Sequence, residues 1–189
     1  MKTNIEETLH SHLKVIEELL PLSSHIETIG NLLRDTLLNQ KKIMFIGNGG
    51  SAADTQHIAA EIVGRFESER RGLPAIALTT DSSVLTSIAN DYGFESVFSR
   101  QVEAIGQEGD ILVAISTSGE SYNILKAIGV AKTVGITTFG LLGKSGGEVA
   151  DAVDHKIIVP SNNTARIQEA HILIGHILCQ IIDEGIPRP

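Results

Sequence analysis

Residues 41–61 read KKIMFIGNGGSAADTQHIAAE, and this stretch decides the fold. Residues 43–46 are a short apolar run, which predicts a buried parallel strand, and the glycine-rich residues 47–51 predict a sharp turn out of it. We expect a helix to follow. Backbone N–H groups of such a turn approach an anion closely, and the positive end of the helix dipole adds to the attraction. The stretch therefore predicts a strand, an anion-binding loop and a helix in succession.

The same alternation of strand and helix continues along the chain. Strands that alternate with helices at this spacing form parallel sheets covered on both faces. We therefore predict an α/β fold with a doubly wound, mostly parallel sheet of five strands between two layers of helices, of the flavodoxin-like or Rossmann-like kind. The predicted strands are residues 43–46, 75–78, 110–116, 137–142 and 156–159.

The segment before the first strand is predicted to be helical. Residues 4–39 carry leucine and isoleucine at three- and four-residue steps, and Pro21 should divide them into two helices. We expect the first helix to help cover the sheet and mainly to pack against another subunit. With 189 residues the chain fits a single domain, residues 1–189, whose residues 1–40 form this helical segment. The predicted intersubunit face consists of Leu9, Leu13, Ile16 and Leu20.

Composition excludes several classes of function. The net charge is −8, tryptophan is absent and aromatic residues make up 4% of the chain, so a general nucleic-acid or anionic-membrane surface is not expected. No apolar run approaches membrane-spanning length, and the N-terminus lacks the features of a secretory signal. The single cysteine, Cys179, excludes an intramolecular disulfide and is expected in the core. We predict a cytoplasmic protein.

A second loop, STSGES at residues 116–121, follows the third predicted strand. In doubly wound sheets, ligands bind beyond the carboxyl ends of the strands, where the strand order reverses. The hydroxyl groups and backbone donors of both loops suit a neutral-to-anionic ligand such as a sugar phosphate. A plain helix-capping role, for Asn48 or Ser51 in the first loop and for Ser118 or Ser121 in the second, stays open.

Two helices carry residues that are typical of a metal site. His57 and Glu61 stand four residues apart on one helix face, although such a pair also occurs as a surface contact worth a few tenths of a kcal/mol. In the last helix, Gln168 and His176 are eight residues apart, about 80° around an ideal helix, so they can border one cavity. Imidazole, carboxylate and amide oxygen together make a plausible set of Zn²⁺ ligands. His171 falls on a different face and is assigned to packing or to a contact with a ligand residue.

With these motifs in place, the chain resembles the phosphoheptose isomerases, or sedoheptulose-7-phosphate isomerases, of the sugar isomerase (SIS) domain superfamily. The likeness covers nearly the whole length. It implies a homotetramer with active sites at subunit interfaces and an aldose–ketose isomerase that makes D-glycero-D-manno-heptose 7-phosphate, the first committed sugar for nucleotide-activated heptoses of bacterial surface glycans. The motifs that carry it are GNGGSAADTQHIAAE, LTTDSSVLTSIANDYGF, FSRQVEA, ISTSGES and ARIQEAHILIGH.

The resemblance also implies roles for individual residues. Glu61 and His176 match the catalytic acid/base pair of a zinc-assisted reaction through an ene-diolate. One Zn²⁺ per subunit is implied, with the ligands His57, Glu61, Gln168 and His176. The substrate-binding residues are expected to be Asn48, Gly49, Gly50, Ser51, Glu61, Asn90, Asp91, Ser116, Thr117, Ser118, Ser121 and Gln168.

Two alternatives remain at this point. Replication regulators that bind the bacterial initiator protein DnaA resemble this chain in GNG, ANDxxxxxxxxxQ and ARIQE, but they lack the carboxylate at the position of Glu61 and the imidazole at that of His176. The presence of both groups here favours an enzyme over a regulator that binds sugar phosphate or DnaA without turnover. Among enzymes, the alternative is a phosphopentose or phosphohexose isomerase.

Overall fold

The computed structural model describes residues 4–187 and contains one parallel sheet of five strands within them. The buried runs of aliphatic residues found in the sequence all become strands, and their ends agree with the predicted ends to within a residue. The strands are β1 (Ile43–Gly47), β2 (Ala75–Ala77), β3 (Ile111–Ser116), β4 (Thr137–Gly143) and β5 (His155–Val159).

Eight α-helices and two short 3-10 turns surround this sheet in the described part of the chain. Pro21 lies in the 3-10 turn Leu20–Leu22 that separates the first two helices, as predicted from its missing N–H donor. The second turn is Phe94–Ser96. The helices are α1 (Ile5–Leu19), α2 (Ser23–Leu38), α3 (Gly50–Val63), α4 (Ser82–Tyr92), α5 (Ser99–Ile105), α6 (Tyr122–Val134), α7 (Gly147–Ala152) and α8 (Thr164–Gly185).

The strand order is β2-β1-β3-β4-β5, and every neighbouring pair is parallel. The predicted doubly wound α/β fold is therefore confirmed, with a sheet that is wholly rather than mostly parallel. The order reverses between β1 and β3, where Gly47 pairs with Ile115 at the carboxyl ends of the two strands. The loops that follow β1 and β3 consequently start side by side at the position where such sheets bind ligands.

Alternation along the strands divides the interior into two cores. In β1, Ile43 and Phe45 face one core together with buried residues of α2, α3 and α8, whereas Met44 and Ile46 face a second core with buried residues of α5 and α6. Successive side chains of a strand point to opposite faces, so a fully apolar strand supplies both cores. This arrangement produces the predicted layers of helices on the two faces of the sheet.

Helix α1 both covers the molecule and presents apolar residues to solvent. Val15 and Leu19 are buried in the first core, whereas Leu9, Leu13 and Leu20 remain 59%, 56% and 68% exposed. Ile16, predicted on the outward face, packs partly against the core of its own subunit. The outward apolar face is therefore narrower than the sequence indicated. No helix within residues 4–187 is long and apolar enough to cross a membrane.

The amino ends of β1 and β3 are joined by a buried carboxylate at the edge of the sheet opposite the two loops. Asp110 accepts hydrogen bonds from the backbone N–H groups of Lys42 at 3.0 Å and Gln107 at 2.8 Å. The Lys42 ammonium group lies 2.5 Å from an Asp110 carboxylate oxygen. Two backbone donors and one cation thus hold the start of the central strand pair.

The last helix buries Cys179 and His171, for which the sequence predicted different roles. Cys179 lies in the core, as predicted, and burial raises the pKa of its thiol to about 12. His171 is fully buried, and its Nε2–H donates to the Leu142 carbonyl oxygen at 3.0 Å. Its Nδ1 has no hydrogen-bond partner among the described residues. His171 therefore joins α8 to the carboxyl end of β4, which confirms the packing role over a metal-ligand role.

The buried imidazole predicts a pH dependence of stability. Burial lowers the pKa of His171 to about 4 despite the hydrogen bond to Leu142, so the unfolded chain takes up this proton first. The stability that the neutral His171 imidazole contributes is fully present above about pH 6.5 and is lost as the pH falls toward 4. The free energy of unfolding should therefore decrease by about 2 kcal/mol between pH 7 and pH 5. We expect His171→Gln, which keeps a donor for the carbonyl, to remove this loss in urea unfolding at the two pH values. The exposed His10→Gln change is the control for deleting one imidazole, and a pH loss in His171→Gln equal to that of the wild type would contradict the assignment.

Candidate active site

The loop after β1 leads directly into α3, and no side chain caps that helix. Gly49 is the residue before the first turn, and its φ of 56° is a conformation that glycine adopts without strain. The open alternative of a plain cap does not hold here, since neither the Asn48 nor the Ser51 side chain bonds the start of the helix. Ser51 is buried, and Asn48 turns toward the neighbouring loop. The N-terminus of α3 thus lacks an internal side-chain acceptor, as suits an anion site.

The loop after β3 is organised by its own hydroxyl groups. The buried Ser116 accepts a hydrogen bond from the Gly119 N–H at 3.0 Å, and Ser118 accepts one from the Glu120 N–H at 3.3 Å. Ser121 precedes the first turn of α6 but makes no side-chain capping bond. Capping of this helix by Ser118 or Ser121 is therefore also wrong. Thr117 and Ser121 remain partly exposed in the loop.

A reciprocal pair of amides ties the two loops together. Asn48 and Asn123 each donate from Nδ2 to the other's Oδ1, both at 2.9 Å. Asn123 belongs to the first turn of α6 and is buried, so both hydrogen bonds are shielded from water. The sequence interpretation missed Asn123. A single amide directly before the largely aliphatic run ILKAI could have indicated a buried polar contact at this position. The pair fixes the separation of the two loops.

Gln168 reaches the first loop from α8. A Cβ atom on residue 50 would collide with the Gln168 amide, so Gly50 is the residue type that permits this approach. Asn163 begins α8 by accepting hydrogen bonds from the N–H groups of Ala165 and Arg166 at 2.9 and 3.4 Å. Gln168, predicted to bind metal and substrate, therefore lies against Gly50 at the first loop.

Helices α3 and α8 bring both predicted histidines and the carboxylate together. The Nε2 atom of His57 lies 3.3 Å from the Glu61 Oε1 atom and 3.3 Å from the His176 Nε2 atom. The two rings meet edge to face, with centroids 5.0 Å apart. The side chain of His57 is 46% exposed and that of Glu61 is 27% exposed, so solvent reaches the cluster.

The donor types of this cluster suit a divalent metal, and each of the two separations around His57 suits one pair of its ligands. Neighbouring ligand atoms of a tetrahedral zinc site with bonds of about 2.0–2.1 Å are about 3.3 Å apart, which both separations around His57 match. As placed, no three His, Cys, Asp or Glu side chains among residues 4–187 form a group that could hold a metal ion. His57 is thus the centre of two separate pairs, and a shared ion would require the side chains around it to turn inward.

Asn90 and Asp91 are the predicted substrate residues that lie apart from the loops. They are exposed at the end of α4, and Asn90 donates from Nδ2 to the Asp91 carboxylate at 2.8 Å. Their side-chain hydrogen bond is to each other and not to either loop. Within residues 4–187, neither side chain hydrogen-bonds His57, Glu61 or His176.

Two further groups lie around the histidines. Asp54 stands one turn before His57 on α3, and its Oδ2 is buried without a hydrogen-bond partner in the described chain. Burial raises the pKa of Asp54, against the opposing effect of His57. Phe66, just beyond α3, stacks on His176 with ring centroids 5.5 Å apart and an angle of 25° between the rings. The sequence interpretation missed Phe66, one of only five phenylalanines in the chain.

Comparison with known proteins now defines the class. Residues 7–143 match the SIS domain family model. A phosphoheptose isomerase of a Nitratiruptor species is 59% identical over 186 residues, covering 98% of this chain and 100% of that relative. The chain therefore belongs to the SIS domain family.

Solved structures lead to the same group within that family. The phosphoheptose isomerase of Neisseria gonorrhoeae has a TM-score of 0.90 and 42% identity, with 95% of this chain and 97% of that chain covered. The enzyme of Francisella tularensis has a TM-score of 0.92 and 40% identity, with 95% and 96% covered. This chain groups with the phosphoheptose isomerases and is a sugar phosphate isomerase.

Proposed function

We propose that this enzyme converts sedoheptulose 7-phosphate to D-glycero-D-manno-heptose 7-phosphate through a zinc-assisted ene-diolate mechanism. The observation that carries the proposal is the cluster of His57, Glu61 and His176 on α3 and α8, two helices that meet near their N-terminal ends, where Gln168 lies against Gly50 at the first loop. Relatives that are named phosphoheptose isomerases and cover nearly the whole chain support the substrate. The product would supply nucleotide-activated heptoses for bacterial surface glycans, and we infer a cytoplasmic enzyme.

The chemistry requires a proton to move between C1 and C2 of the sugar while one oxygen changes between carbonyl and hydroxyl. Glu61 and His176 flank His57 from two helices, so one of them would remove the proton and the other would deliver it. Asn48, Gly49, Gly50 and Ser51, with the second loop, would bind and orient the substrate. In this scheme Gln168 supports the first loop and completes the ligand set.

A bound Zn²⁺ would polarise the sugar carbonyl as a Lewis acid and stabilise negative charge on its oxygen. We assign His57, Glu61, Gln168 and His176 as its ligands, one ion per subunit. The support is the chemistry of the set and the 3.3 Å separations on the two sides of His57. Glu61 would then serve both as a ligand and as an acid/base group, so its carboxylate must retain one oxygen for the proton.

A regulator that binds sugar phosphate without turnover is the competing function of another class. The high identity to phosphoheptose isomerases over nearly the whole chain favours the enzyme, and the carboxylate of Glu61 and the imidazole of His176 are the groups that a turnover reaction needs. A phosphopentose or phosphohexose isomerase is the competing enzyme. Turnover assays with five-, six- and seven-carbon ketose phosphates discriminate among the three.

The acid/base assignment predicts a loss of turnover with little loss of binding. Glu61→Gln and His176→Asn keep a polar group but remove a proton carrier, so turnover of sedoheptulose 7-phosphate should fall by at least about 10² in each. Calorimetry should show much less change in substrate affinity, because the phosphate-binding loops are untouched. Glu169→Gln makes the same chemical change as Glu61→Gln but on α8, where the carboxylate accepts from Arg166 and pairs with His12, and should retain activity. Near-normal turnover in metal-quantified samples of either site variant would exclude its residue as an essential catalyst.

The metal assignment predicts that zinc content and activity decline together. His57→Ala leaves three protein ligands and removes the residue that contacts both Glu61 and His176, so it should bind well below one Zn²⁺ per subunit. Elemental analysis and turnover are measured on the same samples, and His10→Ala in the exposed part of α1 is the control. Full activity after exhaustive chelation, with elemental analysis confirming that metal is absent, would refute the assignment.

We further propose a homotetramer whose active sites lie at subunit interfaces. The exposed Leu9 and Leu13 of α1, with Leu20 in the turn that follows it, form an apolar face that needs a cover. Asn90 and Asp91, which are exposed and separate from the loops of their own subunit, are suited to complete a neighbour's site.

Sedimentation at micromolar concentration should therefore show a tetramer. Leu9→Glu combined with Leu13→Glu should shift the distribution toward smaller species and lower turnover, because charged residues cannot be buried cheaply in an apolar contact. The matched control, Glu6→Gln with Lys14→Gln, alters polar residues of the same helix. A wild-type monomer would contradict both the assembly and the interfacial site.

A further inference from the structure

The segment after α3 is held by a buried carboxylate of α8. Asp183 accepts hydrogen bonds from the backbone N–H groups of Glu67 and Ser68, both at 2.9 Å, and from the Arg70 Nε at 2.5 Å. Burial opposes the charged form of Asp183, but the hydrogen bonds from Ser68, Arg70 and Glu67 together outweigh it, so its pKa is lowered. The carboxylate thus stays charged and orders a loop that is distant in the sequence.

Arg70 uses its remaining donors to close the end of α3. Its guanidinium donates to the carbonyl oxygens of Glu61 at 2.9 Å and Ile62 at 3.0 Å, and also bonds those of Gly64 and Arg71 at 3.3 and 3.1 Å. The Arg70 side chain is only 1% exposed and that of Asp183 only 3%. The last carbonyl groups of a helix lack partners within the helix, and a cation there is favourable. The backbone of Glu61 is therefore held directly by this ion pair.

The same loop carries the ring that packs on His176. Phe66 lies between the end of α3 and Glu67, whose N–H group bonds Asp183. Its ring stacks on the His176 imidazole. One buried carboxylate therefore constrains the backbone of Glu61 through Arg70 and the ring of His176 through Phe66.

We propose that the Arg70–Asp183 pair is a positioning device that sets the relative geometry of Glu61 and His176. The inference rests on the proposed function, in which these two side chains carry the proton. A buried ion pair often adds little net stability compared with apolar residues of the same volume, so its value here lies in the geometry that it enforces. Displacement of a reacting group by about 1 Å can cost about 10² in rate. Neither Arg70 nor Asp183 needs to touch the substrate.

The chain offers a matched control for the test. Asp110 also accepts two backbone N–H groups and one cationic side chain, and it is similarly buried, but its partners are Lys42 and Gln107 and its carboxylate makes no hydrogen bond to α3, to α8 or to the segment after α3 within residues 4–187. Asp183→Asn and Asp110→Asn should both lower the denaturation midpoint. Only Asp183→Asn should lower kcat for sedoheptulose 7-phosphate, by about tenfold or more with KM changed less than about threefold, whereas Asp110→Asn should stay within about twofold of the wild-type kcat. Equal kcat values per folded molecule in the two variants would overturn the proposal.

A spectroscopic measurement keeps the inference separable from the proposed function. Ring resonances of His176, assigned in NMR spectra by their loss in His176→Asn, should shift in Asp183→Asn and in Arg70→Lys and stay in place in Asp110→Asn. Arg70→Lys keeps a cation for Asp183 but lacks the planar set of donors that bonds the Glu61 and Ile62 carbonyl oxygens, so it serves if Asp183→Asn does not fold, and it should lower kcat at least about threefold. Unmoved His176 resonances in the folded variants would overturn the inference. A different result would contradict the proposed function alone. In that case the His176 resonances shift in the other two variants and not in Asp110→Asn, but the wild-type protein does not turn over sedoheptulose 7-phosphate.

Discussion

The parallel pairing of β1 with β3 is the constraint on which the rest of the structure depends. These strands are neighbours in the sheet although β2 lies between them in the sequence. The helix after β1, α3, therefore packs on one face of the sheet, and the helix after β3, α6, packs on the other. The carboxyl ends at Gly47 and Ile115 then release two loops at the same place, and the Asn48–Asn123 amide pair holds them at a set distance. At the other edge, Asp110 joins the amino ends of the same strands. The register of this pair is thus held at both ends, and α3 and α6 leave from it with their N-termini adjacent.

Much of this architecture is predictable because it depends on local patterns. Fully buried strands are continuous aliphatic runs, and Pro21 has no N–H to donate within a helix, so both features are visible in the sequence. Hydrogen-bond partners are less local. Serine and asparagine beside a helix start suggested caps, yet Asn48 prefers Asn123, 75 residues away, and Ser116 closes its own turn. Ile16 follows Leu13 at the same three-residue step, but its side chain reaches the first core of its own subunit. The spacing of apolar residues therefore did not separate the inner face of α1 from its outer face.

The candidate site shows the same division between local and distant information. His57 and Glu61 are close because four residues make about one turn, which the sequence predicts. Their meeting with His176 depends on the packing of α3 against α8 and needed a family pattern to be anticipated. The spacing of residues in the sequence gives no indication of the two residues that we propose set the geometry of Glu61 and His176. Arg70 and Asp183 are 113 residues apart, and each alone is an ordinary charged residue in a helical or loop segment. Only burial distinguishes them, and burial of a charge is a property of the folded chain.

The acidity of the chain constrains how it could hold a phosphate. With a net charge of −8, the average field at the surface repels an anion, so long-range attraction cannot be the source of affinity. Arg70 does not offset this, because its charge is already paired with Asp183 and its donors are used by carbonyl groups. The short-range donors that the proposed site offers are the backbone at the start of α3 and the hydroxyl groups of the second loop. At physiological ionic strength repulsion is screened beyond about 8 Å, whereas these contacts act at hydrogen-bond distance. Recognition in this site would therefore depend on loop geometry more than on charge, which explains why so many buried hydrogen bonds maintain that geometry.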